Sequence, residues 1–515
     1  MTHRNGRHFR RNDLRQKPDR EGGLVSLEVP SFTLGLLTRT FLTASDSCPN
    51  ISQVSRRPSA KYMRILFVSI IVVIGCLIDF GGVTAQTAAA SDSVAVAGAT
   101  ASRVDNESRS AADLFADADT YANKKFEQFN KLKMPYDRQT EDKIKKEQRE
   151  LAAAYAKTLA TRKLEGKDVY YLGLLYNLAR DFDNALESMR RFLKENASAS
   201  GEPAQNARAI IVIQAVKRNL LPEAEARLAE YAANQPQVTE DRYSLENWVA
   251  AGYFNTKDYE HALPHGQEMW EAAKLSAKAL RLYTRDARLN DAAVMFSEIY
   301  VKLNRKADAL AITRELRSIA LSFPSGNLYK LALRRMIQID PNAGDLFSVN
   351  DATLPLSIAP EIKANEWLDE APTNLATLRG KVVLLDFWAH WCGPCRATFP
   401  KLEKWHQNYK DKGLVILGMT TYYGHAEGKQ LTKPQELDYL RDFKKRFSMP
   451  YGVAVSEAED NERNYGISSI PTTFLIDRQG RVRFISVGSS DVESAALLKM
   501  IKKLLDEPTP QTAAR

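Results

Sequence analysis

The apolar residues of this chain change their period once. From residue 111 to residue 345 they recur three and four positions apart, in a background of Ala, Leu, Glu, Lys and Arg. That is the pattern of amphipathic helices. SFPSGN, Ser322 to Asn327, and the Pro and Gly that follow begin to break it up. Beyond about residue 358 the apolar positions gather into short runs. VVLLDFWA (382–389), LVILGMTT (414–421), YGVAVS (451–456), TTFLID (472–477) and VRFISVG (482–488) predict strands, and near-continuous apolar runs predict burial on both faces. Arg478-Gln479-Gly480 is a hairpin turn between the last two. Helical spacing returns at 394–410, 433–447 and 492–505, so this part is expected to be an α/β sheet with helices on both faces. The organisation that follows is an all-α domain at 111–345 and an α/β domain at 346–507. A linker rich in Ala, Ser, Val and Thr at 86–110 precedes them, and a disordered tail at 508–515 follows.

Within the helical part, DVYYLGLLYNLARDFDNALESMRRFL (168–193) has internal structure. Leu172, Gly173, Tyr176, Phe182, Ala185 and Met189 fall at spacings that resemble a tetratricopeptide repeat. Small residues such as Gly173 and Ala185 let two antiparallel helices approach, and Tyr176 and Phe182 fill the space between them. Weaker copies centre on Ala224, Ala262 and Ala309. The spacing predicts about four helical hairpins, stacked into a surface of the kind that binds protein; a plain bundle without a binding role is the alternative. His261 and His265 sit four apart, but Pro264 between them argues against a metal site.

The chain has 515 residues and a formal net charge of +9. That charge does not imply a nucleic-acid partner. Residues 1–62 hold eleven Lys and Arg against five Asp and Glu, so most of the excess lies in that stretch, and the remainder shows no basic stripe interleaved with aromatics. The region is expected to be a non-native or disordered extension ahead of a true start at Met63. Arg56, Arg57, Lys61 and Arg64 then precede an apolar run at 65–78 and a small-x-small cleavage pattern ending at Ala85, which makes 63–85 a signal peptide. The run is short for a bilayer span of about 20 residues. A membrane anchor through 65–78, or a lipid on Cys76, is the alternative. The chain is therefore expected to be extracytoplasmic, in the periplasm. Cleavage would remove Cys48 and Cys76 and leave only Cys392 and Cys395, so disulfides are not general staples here.

Cys392-Gly393-Pro394-Cys395 allows three readings. A zinc clip needs about four ligands, and His390, His406 and His425 are at no finger-like spacing. A structural disulfide closing so small a loop adds little chain-entropy stabilisation. A working dithiol fits the context. The pair follows a strand and opens a helix, where unpaired N–H groups and the helix dipole favour a thiolate on Cys392. Cys395 lies one turn on, placed to resolve a mixed disulfide. Pro394 suits the first helical turn, and Gly393 leaves room for a substrate backbone.

VVLLDFWAHWCGPCRATFPKLEKW, followed by GISSIPTTFLIDRQGRV, resembles the TlpA/ResA-like branch of the thioredoxin superfamily, extracytoplasmic thiol–disulfide oxidoreductases of bacteria. The likeness covers roughly residues 355–507. It implies a thioredoxin fold in which Cys392 attacks and Cys395 resolves. It implies that Asp386 is the buried acid that exchanges a proton with the resolving thiol. It places Pro471 as a cis-proline beside the dithiol, with the Ile470 backbone pairing an extended substrate segment. Trp391 matches an indole beside the motif, for packing or for substrate contact. Two positions depart from the pattern. Thr398 stands where some relatives carry a glutamate, and His390 is unexpected there, either a solvated loop histidine or a cation lowering the thiolate pKa.

The expected function is reduction of protein disulfides through a redox-active Cys392–Cys395 pair, with no other cofactor and no metal. A membrane thiol donor would keep the pair reduced, and the repeats would hold a protein partner. The Gly-Pro dipeptide resembles thioredoxin, whose potential is about −270 mV. A redox-sensing scaffold is the alternative. A thiol peroxidase fits less well, because LDFWAHWC lacks the Pro and Thr/Ser that such a site requires.

Overall fold

The computed structural model describes residues 108–196, 200–343, 356–368, 371–457 and 459–508. The expected extension at 1–62, the signal peptide at 63–85 and nearly all of the linker and tail lie outside the described residues.

Eleven helices make up the described part of the array: α1 (Ala111–Lys131), α2 (Arg138–Ala160), α3 (Lys167–Ala179), α4 (Phe182–Glu195), α5 (Glu202–Lys217), α6 (Leu221–Ala233), α7 (Thr239–Asn255), α8 (Tyr259–Ser276), α9 (Leu282–Lys302), α10 (Lys306–Ser322) and α11 (Gly326–Ile339). Ser110, Asp137, Asp181, Asp258 and Ser325 begin helices by accepting a backbone N–H with the side chain. One turn recurs at the end of α1, α3, α5, α7 and α9. Lys133, Arg180, Asn219, Lys257 and Asn304 each have φ between 49° and 65°. In each turn that residue's N–H bonds three residues back, and the next N–H bonds five back, as at Arg180→Asn177 and Asp181→Tyr176. This satisfies carbonyls the helix end leaves open and turns the chain back on itself. The array therefore holds five such turns rather than about four. The first, at Lys133, joins helices whose connection carries no small residue of the kind that marks the later ones. Gly173 shows the close approach expected of α3 and α4: a Cβ there would stand 2.8 Å from Met189 Cε. Ala185, Ala224, Ala262 and Ala309 are all fully buried. Pro264 does not end a helix; it lies inside α8.

The C-terminal part has the expected thioredoxin fold. Its six-stranded mixed sheet runs in the order β1-β6-β3-β2-β7-β8. These strands are β1 (Glu366–Leu368), β2 (Val382–Phe387), β3 (Leu414–Thr421), β6 (Gly452–Ser456), β7 (Thr472–Ile476) and β8 (Val482–Val487), with a small β4 (His425–Ala426) and β5 (Lys429–Gln430) hairpin apart from them. β2 is parallel to β3 and β3 to β6, while β7 and β8 return antiparallel. Helix α12 (Gly393–Tyr409) follows β2, α13 (Lys433–Arg446) precedes β6, a short α14 (Asp460–Asn464) follows it, and α15 (Asp491–Asp506) closes the domain.

The two faces of the sheet are covered differently. Leu384, Trp388, both cysteines and residues of α12, α13 and α15 form one apolar cluster. Val383, Leu385, Phe387, Phe474 and Ile485, from the opposite face, join a cluster that continues through α8 to α11. The three long helices anticipated from the sequence thus share one face. The array supplies most of the cover for the other, through residues such as Leu289, Phe296, Leu328 and Met336.

Candidate functional site

The site forms where β2 ends and α12 begins. Trp388 turns the chain inward, its ring stacked on Phe443 and edge-on to Phe399. Arg396 braces the loop from the helix side. Its Nε and Nη2 donate to the His390 carbonyl at 3.1 and 2.5 Å, and its guanidinium lies over Phe443 and Phe447. Cys392 is the N-cap of α12 and is disulfide-bonded to Cys395, with Cα atoms 5.3 Å apart. The Cys395 N–H points at Cys392 Sγ, 3.2 Å away. A charge-accepting sulfur therefore sits where the helix presents its positive end. Gly393 and Pro394 are exposed beside it.

Beneath the cysteines, Asp386 is 1 % exposed. Register puts it opposite Thr473 of β7, whose hydroxyl donates to Oδ1 at 3.0 Å, while Oδ2 has no hydrogen-bond partner. Burial raises its pKa and the Thr473 hydrogen bond works against the rise; the carboxyl is pushed up to about 7. The same register aligns Thr472 with Phe387 at the end of β2. The cis Ile470–Pro471 bond immediately precedes Thr472, and Ile470 packs on the cluster holding both cysteines. The fold thus gathers Asp386, Cys392, Cys395, Ile470 and Pro471 from two ends of the domain.

The rim is aromatic. Trp391 is 52 % exposed and stands edge-on to Tyr423 at 5.5 Å. His390 is not a solvated loop residue: it is 2 % exposed, ringed by Tyr423, Tyr439 and His425. Burial lowers its pKa, which disfavours the imidazolium. Thr398 donates its hydroxyl to the Cys395 carbonyl at 2.7 Å. Four contributors were not singled out from the sequence: Arg396, Thr473, Tyr423 and Glu436. The fully buried Glu436 fixes Tyr423 and Gly424 by accepting both backbone N–H groups at 2.8 Å. Arg396 and Thr473 stand within the two stretches that carry the resemblance, while Tyr423 and Glu436 lie outside both. Among the described residues no group of three or more His, Cys, Asp or Glu is placed to hold a metal ion.

Residues 357–501 match the Redoxin family. The thiol–disulfide oxidoreductase ResA of Oceanobacillus iheyensis is 28% identical over 166 residues, covering 32% of this chain and 76% of that protein. Protein DipZ of Mycobacterium bovis is 31% identical over 159 residues, 30% of this chain and 21% of that protein. The chain thus spans about a fifth of the length of its DipZ relatives. A solved thiol:disulfide interchange protein of the thioredoxin family from Chlorobium tepidum is 26% identical, covers 30% of this chain and 99% of its own, and has a TM-score of 0.25. The C-terminal part of the chain is a thioredoxin-like redoxin domain.

Proposed function

We propose that this redoxin domain reduces protein disulfides outside the cytoplasm, working through Cys392 and Cys395. What supports the proposal is a cysteine pair at the start of α12, a buried Asp386 on β2 with one unpartnered carboxylate oxygen, and a cis Ile470–Pro471 bond whose Ile470 packs on the cluster holding both cysteines. In the reduced enzyme the Cys392 thiolate attacks a substrate disulfide. A Cys392–substrate disulfide forms and one substrate thiolate leaves. Asp386, as carboxylate, accepts the proton of Cys395. The Cys395 thiolate then attacks Cys392 Sγ, regenerating the Cys392–Cys395 disulfide and releasing the second substrate thiolate. Two electrons have passed to the substrate, and a dithiol donor at the membrane restores the pair.

Ile470 would pair its backbone with an extended substrate segment, while Trp391, Gly393 and Pro394 line the approach. The leader-like sequence pattern at 63–85 supports export, and the array, resembling tetratricopeptide hairpins, supports a protein partner. The test is insulin reduction by the full chain with dithiothreitol as donor, together with Cys395→Ser. The wild type should turn over, and Cys395→Ser should accumulate a mixed disulfide on Cys392. A chain that reduces no insulin and traps no adduct would overturn the proposal.

A further inference from the structure

The array grips the sheet domain at one place that bears on substrate. At the corner between α10 and α11, the Gly326 N–H donates to the Tyr465 carbonyl at 2.9 Å and the Asn327 N–H to the Gly466 carbonyl at 2.7 Å. Ser325 is fully buried at this corner. Its hydroxyl accepts the Leu328 N–H at 3.1 Å and donates to Asp286 of α9, whose carboxylate is paired with Arg285. Neither segment has room to drift. Gly466 has φ +55°, and a Cβ on it would stand 2.5 Å from Ser325 Oγ. A Cβ on Gly326 would stand 2.9 Å from Thr472 Cγ2.

These contacts fall on both sides of one loop. Gly466 lies just ahead of Ile467, and Thr472 directly follows Pro471. Ile467 and Ile470 pack against the core shared by the array and the sheet. Thr472 closes the loop by donating its hydroxyl to the Ser469 carbonyl at 2.7 Å, and the next residue, Thr473, holds Asp386. A shift of the α10–α11 corner therefore has to move the segment that carries Ile470.

We propose that Ser325, Gly326 and Asp286 are positioning residues for the substrate site: the array holds the Ile470–Pro471 loop in register for a protein disulfide. The inference rests on the proposed role of Ile470 in pairing with substrate. It makes the array a working part of the oxidoreductase site, in addition to any partner it recruits. Ile470 also packs on the cluster of Cys392 and Cys395, but the two cysteines take their backbone positions from β2, α12 and Arg396. Disturbing the corner should therefore impair protein substrates and spare the dithiol.

The test compares full-length wild type, Gly326→Val and Ser325→Ala in three assays: insulin reduction, reduction of the Cys392–Cys395 disulfide by dithiothreitol, and alkylation of reduced Cys392. A displaced loop should lower kcat/KM for insulin about tenfold in Gly326→Val, chiefly through KM, while the other two rates stay within about twofold. Ser325→Ala adds no atom and keeps the test alive if the valine variant does not fold; it should show the same split at about threefold. Folded variants with wild-type insulin kinetics would overturn the inference alone, as would insulin and dithiothreitol rates falling together. A wild type inactive on insulin would overturn the function proposed above, and this inference with it.

Discussion

One buried carboxylate of the sheet domain is held differently from those of the array. In the array, Glu246 meets Arg242 and His265, both at 2.7 Å, and Asp286 meets Arg285 at 2.8 Å. In the sheet domain Asp477 is held by Arg481 and Arg483, and Glu436 by two backbone N–H groups. Asp386 has a single hydroxyl and one oxygen with no hydrogen-bond partner. A buried charge without a cation or N–H partner weakens a fold, and burial keeps such a group protonated. Among the fully buried carboxylates of the described residues, Asp386 alone lacks a cation or backbone N–H partner. Burial also raises the pKa of Asp286, but Asp286 keeps Arg285 and the Ser325 hydroxyl as partners, where Asp386 has only the Thr473 hydroxyl.

The sharpest way to break this contrast is to remove the attacking sulfur. Cys392→Ser should reduce insulin turnover by about a thousandfold or more, since no other group can form the covalent intermediate. Turnover that survives would move the chemistry elsewhere.

The next test turns on sign. When folded, Asp386 keeps its proton up to about 7, against an ordinary value of 3.8. The native state therefore binds the extra proton between those values. Stability is lost as pH rises through that window, and the cost is complete above it. In the oxidised protein Asp386→Asn should be more stable than wild type at pH 8, by up to about 4 kcal/mol, with the gap closing towards pH 4. Urea unfolding at the two pH values measures it. The same variant should slow release of the mixed disulfide about 10- to 100-fold, because the proton acceptor is gone.

Glu246→Gln in the array should do the opposite at neutral pH and destabilise by about 2 kcal/mol. That is below the full cost of a broken buried pair, because Arg242 is partly exposed. A gain in stability there would erase the distinction between Asp386 and the paired carboxylates. The smallest effect is expected from Thr473→Val. Its hydroxyl opposes the raised pKa of Asp386, so the pH midpoint of the resolving step should move upward. A downward movement would mean that another group sets it.

Much of this was legible in the sequence. The strands at 382–389 and 472–477 and the helix from Pro394 carry strong local patterns, and the structure places them as β2 (Val382–Phe387), β7 (Thr472–Ile476) and α12. Asp386 is conspicuous as a carboxylate within an apolar run. Other features depend on contacts that leave no periodic trace. The seating of α11 on Tyr465 and Gly466 joins positions more than a hundred residues apart. His390 looks like a loop residue in sequence because the aromatic ring around it comes from Tyr423, His425 and Tyr439, far downstream. Three similar helical stretches around a sheet gave no sign that they share a face, since the cover for the other face comes from outside the domain.

The most direct test of the account is the pH dependence of iodoacetamide alkylation, followed residue by residue on the reduced chain. Held at the start of α12 with the Cys395 N–H directed at its sulfur, Cys392 should react with an apparent pKa well below the free-thiol value of about 8.5, and Cys395 should resist the reagent. A Cys392 that titrates at or above that value, or a Cys395 that reacts first, would contradict it.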